Sequence, residues 1–192
     1  MNKEMKTTKI WRIALTMVAV LSLASCSSEP QWADPEAHEK TEELQKKYGP
    51  LLIGTWHFER LGERNRFFEQ LTFHDDNTLT GYRKWQNRSL VTVEGQEVYT
   101  DWEDVEGECG TFTGTWMLRY MSPEGPEGEK RNCLTLRASF DDDDDSTASI
   151  PYSSSYNFNY VDETTLSFQT YYFNDADGWR YYRRGEGEPS TN

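Results

Sequence analysis

From Gly54 onward, apolar residues recur at every second position. Phe112, Gly114, Trp116, Leu118 and Tyr120 share one parity, while Thr111, Thr113, Thr115 and Arg119 share the other. Leu134, Leu136, Ala138 and Phe140 alternate with Thr135, Arg137 and Ser139, and Tyr156, Phe158 and Tyr160 alternate with Asn157 and Asn159. Successive side chains of a strand point to opposite faces, so this period marks antiparallel strands with one buried and one wet face. Further strands are predicted at 54–61, 66–74, 78–85, 90–93, 97–103, 164–173 and 178–183. Turn-forming residues separate them: Asp75-Asp76-Asn77, Glu94-Gly95, a loop at 123–128, Asp162-Glu163 and Asp177-Gly178. About eight to ten short, evenly spaced strands, with no second helix long enough to form a layer, predict an all-β antiparallel barrel or sandwich.

One short helix precedes the strands, at 34–49. Asp34 is its N-cap and Pro35 its first helical residue, and Gly49-Pro50 is the expected stop. Glu36 and Glu39 lie early and Lys46 and Lys47 late, complementing the helix dipole. The apolar stripe of Ala37, Leu44 and Tyr48 is thin, which places the helix on the domain's edge. Two polar stretches read as solvated chain. The five aspartates at 141–145 lead into a Ser/Thr-rich loop, and 185–192 reads as a disordered tail.

The first 25 residues have a different character. Lys3, Lys6, Lys9 and Arg12 precede an apolar stretch at 13–23. That stretch falls short of the ~20 residues needed to span a bilayer core, and the layout is that of a secretory signal. Leu23-Ala24-Ser25-Cys26 resembles the lipobox of bacterial lipoproteins. The resemblance implies cleavage before Cys26 and acylation of that cysteine with three chains, followed by a polar tether at 26–33. At ~0.8 kcal/mol per buried CH₂, one chain binds marginally and two or more anchor stably. Ser27, where an aspartate would signal inner-membrane retention, resembles outer-membrane sorting in Gram-negative bacteria. The expected location is the cell envelope, lipid-anchored, facing the periplasm or the surface.

Charge narrows the partners. Taking the four basic residues and one acid of positions 1–25 from the totals of 20 and 33 leaves 16 against 32, a formal charge of −16. Such a surface repels phosphate backbones and anionic headgroups, excluding nucleic acid and leaving lipidated Cys26 as the membrane contact. Cys109 and Cys133 then remain, as a disulfide in an oxidising compartment or as two buried thiols. His38, His57 and His74 are far apart, no Cys-x-x-Cys or His-x-x-x-His occurs, and the aspartate run lacks the glycine and glutamate of a calcium loop. No Gly-x-Ser-x-Gly and no Gly-rich phosphate loop occurs, and the abundant carboxylates single out no acid/base pair. Neither a metal nor a cofactor is predicted, and the chain does not read as an enzyme.

Gly54-Thr55-Trp56, opening the first strand just after a short helix, resembles the start of lipocalins. Leu71-Thr72-Phe73, Gly114-Thr115-Trp116, Leu134-Thr135-Leu136 and the Tyr-x-Phe-x-Tyr at 156–160 extend a similarity to lipocalin-like domains of Gram-negative lipoproteins over 50–184. The resemblance implies an up-and-down β-barrel in which a late arginine, Arg183 or Arg184, packs across Trp56. Small barrels of this kind hold one small ligand or fill with side chains. Trp56 and Trp116 are assigned to the core, and Trp85, Trp102 and Trp179 are candidates for a ligand-binding rim. Two functions follow as expectations. One is a membrane-tethered module for a small apolar or amphiphilic ligand. The other is a filled barrel acting through protein contact in the envelope, as accessory subunit or inhibitor.

Overall fold

The computed structural model describes residues 34–125, 127–141, 150–170 and 178–189. The predicted export signal, the predicted 26–33 tether with Cys26, and most of the aspartate run lie outside these residues. Among the described residues, one helix, α1 (Pro35–Leu52), is followed by eleven strands. They are β1 (Gly54–Leu61), β2 (Asn65–Phe73), β3 (Thr78–Asn87), β4 (Leu90–Val93), β5 (Gln96–Tyr99), β6 (Glu103–Asp104), β7 (Gly110–Met121), β8 (Arg131–Phe140), β9 (Tyr152–Val161), β10 (Thr165–Gln169) and β11 (Trp179–Arg184). Eight of them close a barrel in the order β1-β2-β3-β7-β8-β9-β10-β11, with β11 returning to β1 and every pairing antiparallel. The alternating pattern predicted an antiparallel barrel or sandwich, and the barrel is found; its up-and-down order is the one that the lipocalin resemblance implies. Between β3 and β7, the chain leaves the wall as an insert. Here β4 and β5 form a separate two-stranded hairpin, and the short β6 pairs with the end of β3.

The helix differs from expectation in two respects. It runs to Leu52, three residues beyond Gly49, with Pro50 inside it. A proline removes one backbone donor and crowds the preceding turn, at a cost of about 3 kcal/mol in a helix interior. Here tertiary burial offsets the cost: Leu44 and Leu52 are buried in the barrel core, with Tyr48 and Leu51 packed against it. The helix therefore closes one barrel end instead of lying at the edge. Gln45 donates to the Leu118 carbonyl at 3.1 Å, Thr41 Oγ1 accepts from Tyr120 N at 3.0 Å, and Tyr48 meets Phe158 edge-on.

At this closed end sits the constellation implied by the lipocalin resemblance. Trp56 is fully buried and donates its indole N–H to the Leu52 carbonyl at 2.8 Å. The guanidinium of Arg184, and not that of Arg183, lies 4.9 Å from the Trp56 ring centre. It also donates to the carbonyls of Leu51 and Ile53, tying the helix exit to the last strand. Gly54 has a φ of 125°, and a Cβ there would come within 3.1 Å of Arg184 Nη2. A glycine therefore suits both the backbone and the arginine.

Candidate functional site

Inside the barrel, the parity of each strand decides what meets what. Phe67, Glu69, Leu71 and Phe73 of β2 lie opposite Trp85, Arg83, Gly81 and Leu79 of β3. Two charged residues thus occupy inward positions, and both are fully buried. Glu69 Oε1 accepts from Arg83 Nε at 2.9 Å and Nη2 at 2.8 Å. Its other oxygen accepts the hydroxyls of Tyr152 at 2.6 Å and Tyr182 at 2.5 Å, with Arg180 Nη1 at 3.4 Å. Arg83 also donates to Glu108 of the insert and to the Pro151 carbonyl. Burial alone would raise the Glu69 carboxyl's pKa, but the charges of Arg83 and Arg180, with the two tyrosine hydroxyls, outweigh it and hold the pKa below its ordinary value. Tyr152 and Tyr182 are pushed up, first by burial and then by the neighbouring Glu69 charge, which keeps them as donors. The arrangement is a buried ionic knot linking β2, β3, β9 and β11.

Aromatic rings occupy the space around that knot. Phe168 stacks on Tyr182 at 5.1 Å, Phe112 meets Phe140 and Tyr152 edge-on, and Tyr152 meets Tyr156. The Phe112 ring sits over Gly81, where a Cβ would come within 2.3 Å of it. The helix-capped half is filled by Trp56, Leu71, Phe73, Leu79, Leu118 and Leu134, all essentially inaccessible. Clefts occur in the wall. One of 190 Å³ lies between β1 and β11 beside His57 and Tyr181, and one of 330 Å³ lies along β7, β8 and β9 beside Arg137 and Ser153. Ligand pockets run from roughly 300 to 1,000 Å³ and enclose most of their ligand. The first cleft is below that range and the second is open.

The more distinctive surface is the insert at the barrel end opposite α1. Its base is fixed by alternating cations and rings. Arg88 lies 4.3 Å from the Tyr99 ring centre and 4.4 Å from that of Trp102, and Arg66 lies 4.7 Å from the Trp102 ring centre. Arg66 donates to Gln86 at 2.6 Å, and Gln86 donates to Asp104 at 2.5 Å. Arg88 and the Tyr99 hydroxyl both bond Glu63 in the β1–β2 turn. Cation–π contacts are worth about 0.5–2 kcal/mol each, so together these hold the hairpin in one orientation. Beyond the base, Glu94 and Gly95 both take positive φ, as a tight two-residue hairpin turn requires. Val91 pairs with Val98 and Val93 with Gln96, putting three valines on one face, at 37%, 40% and 53% exposure for Val91, Val98 and Val93.

The predicted site residues separate accordingly. Trp56 and Trp116 are core, the latter donating to the His74 carbonyl at 3.0 Å. Of the rim candidates, Trp85 faces inward against Phe67, Trp102 belongs to the stack at the insert's base, and Trp179 lies on the outer parity of β11 with Tyr181. The three do not converge on one mouth. The Cys109–Cys133 disulfide is corrected: both are free thiols. Cys109 precedes the first residue of β7, while Cys133 pairs with Arg119 near its other end. At ~3.4 Å per residue, ten positions separate them by roughly 34 Å, far beyond disulfide reach. Among the described residues, no three His, Cys, Asp or Glu side chains converge as a metal site requires. Of the tail, 185–189 is described: the Gly185 carbonyl accepts from His57 Nδ1 at 2.9 Å, and Gly187 N donates to Gln70 Oε1 at 3.2 Å.

Glu69, Arg83 and Arg180 were not singled out from the sequence. Their signal was nevertheless present. Each is a charged residue at the inward parity of an alternating strand, and a charge there demands a partner. No family model matches the chain, and neither a curated protein nor a solved structure matches it.

Proposed function

We propose that this chain is an exported lipoprotein, anchored through acylated Cys26 in the cell envelope, whose filled lipocalin-like barrel acts through protein contact. The single observation that carries this reading is the barrel interior. The space a ligand would need is taken by Trp56, Phe67, Phe73, Phe112, Phe168 and the ionic knot. Opening it would strip Glu69 of partners, at a cost far larger than the gain from burying a small apolar molecule. The outer-membrane assignment rests on the lipobox resemblance and on Ser27.

Solvent extraction and mass spectrometry of the purified chain test the contact reading. The expected result is no stoichiometric small molecule, and no fluorescence response across a panel of hydrophobic probes. A co-purified amphiphile at one per chain would overturn it in favour of ligand carriage. Membrane fractionation of Cys26→Ala tests the anchor, with release into the soluble fraction expected.

A further inference from the structure

The β4–β5 hairpin is a two-stranded sheet whose outer edges make no ladder with any described strand. An isolated hairpin is marginally stable, and exposed strand edges are ordinarily blunted, because unpaired N–H and C=O groups invite another chain. This one is instead held out from the barrel by the Tyr99–Arg88–Trp102–Arg66 stack. It presents an unpartnered face of Val91, Val93 and Val98. Its charge is one-sided: residues 89–109 carry seven carboxylates and no lysine or arginine.

These features select among occupants. A second copy would set two such acidic hairpins edge to edge, and an anionic lipid surface or a nucleic acid would be repelled in the same way. A cationic chain would be drawn in, and the free edges would bond it as an added strand. We infer that the hairpin is a docking edge for an extended, basic segment of a partner protein with apolar residues at alternate positions. Main-chain hydrogen bonds would supply the pairing, the valine face would take the apolar residues, and the carboxylates would speed and orient the encounter. The inference rests on the contact reading and names the surface through which it works.

The probe is a synthetic nine-residue peptide alternating Lys and Val, measured by calorimetry against the full chain in detergent. Alternate N–H groups of a strand point to the same side, so N-methylation of one alternating set blocks pairing along one edge and leaves the other. The expected result is saturable binding that one methylated peptide loses by about tenfold, while the peptide methylated on the opposite set binds like the parent. Val91→Thr/Val98→Thr, which keeps the β-branched shape, is expected to weaken the parent peptide by a similar factor. Equal binding of both methylated peptides would overturn strand addition, leaving charge attraction alone. A dimer of the unliganded chain in sedimentation, lost in Val91→Thr/Val98→Thr, would overturn the basic partner in favour of self-pairing. The methylated peptides need no variant to fold. None of these results depends on small-molecule extraction, so the docking edge and the contact reading can fail separately.

Discussion

The two halves of the barrel interior are filled by different physics. Next to α1, Trp56, Leu71, Phe73, Leu79, Leu118 and Leu134 pack without charge. Toward the insert, Glu69, Arg83 and Arg180 share the interior with Tyr152 and Tyr182. The apolar half is non-directional, and its stability scales with area buried and with how well shapes fill. The ionic half is directional. Each group there is tolerable only because its partners are in place, and removal of one exposes the rest to an unscreened, low-dielectric interior. Two equally buried regions should therefore respond very differently to mutation and to pH.

Glu69→Gln should give the largest effect. It leaves Arg83 and Arg180 buried without their shared carboxylate, a loss of about 3–5 kcal/mol in denaturant unfolding. A change below 1 kcal/mol would mean that the knot is not sustained by its charge. In the apolar half, Leu118→Ala removes a side chain with no polar partner and should cost about 2–5 kcal/mol, according to how far the cavity collapses. Arg184→Leu keeps most of the bulk over Trp56 but loses two hydrogen bonds to Leu51 and Ile53. About 1–3 kcal/mol is expected, with amide exchange quickening at the helix exit before the strands.

Acid separates the halves without mutation. The folded pKa of Glu69 lies below its unfolded value of 4.5, so the unfolded chain binds the proton first. Its stabilisation is complete above pH 4.5 and is lost as pH falls through the folded value. Wild type should therefore weaken below pH 4.5, and Glu69→Gln should weaken less across the same window; parallel curves for the two proteins would contradict this. The smallest expected effect is none: a reductant should leave the melting temperature unchanged, since Cys109 precedes β7 while Cys133, on β8, pairs near the far end of β7.

How much was legible in the sequence follows this same division. The apolar half announces itself, because Trp116, Leu118, Leu134 and Leu136 recur at a period of two and need no knowledge of their partners. Gly54, Trp56 and a late arginine were legible as a set, but the choice of Arg184 over Arg183 was not. Parity along one strand cannot say which of two adjacent arginines reaches back to the helix exit. The Gly49-Pro50 stop was overridden because burial of Leu52 outweighs a local backbone preference. The rim tryptophans do not form a set, because Trp85 faces inward, Trp102 lies between β5 and β6 in the arginine stack, and Trp179 takes the outer parity of β11.

Taken alone, the sequence determined the acidic balance, the antiparallel strands and the alternation that separates wall from core, and it carries the lipobox resemblance around Cys26 on which the proposed anchor rests. These are local or additive properties, readable from residue type and spacing. Only the tertiary structure decided that the barrel closes through β11 and β1, that α1 caps it, that Glu69 meets two arginines and two tyrosines, and that Cys109 and Cys133 stay apart. Those facts depend on register between strands distant in the chain. A shift of one residue would turn every side chain to the other face, so contacts across the barrel exist only once all eight strands have chosen their neighbours.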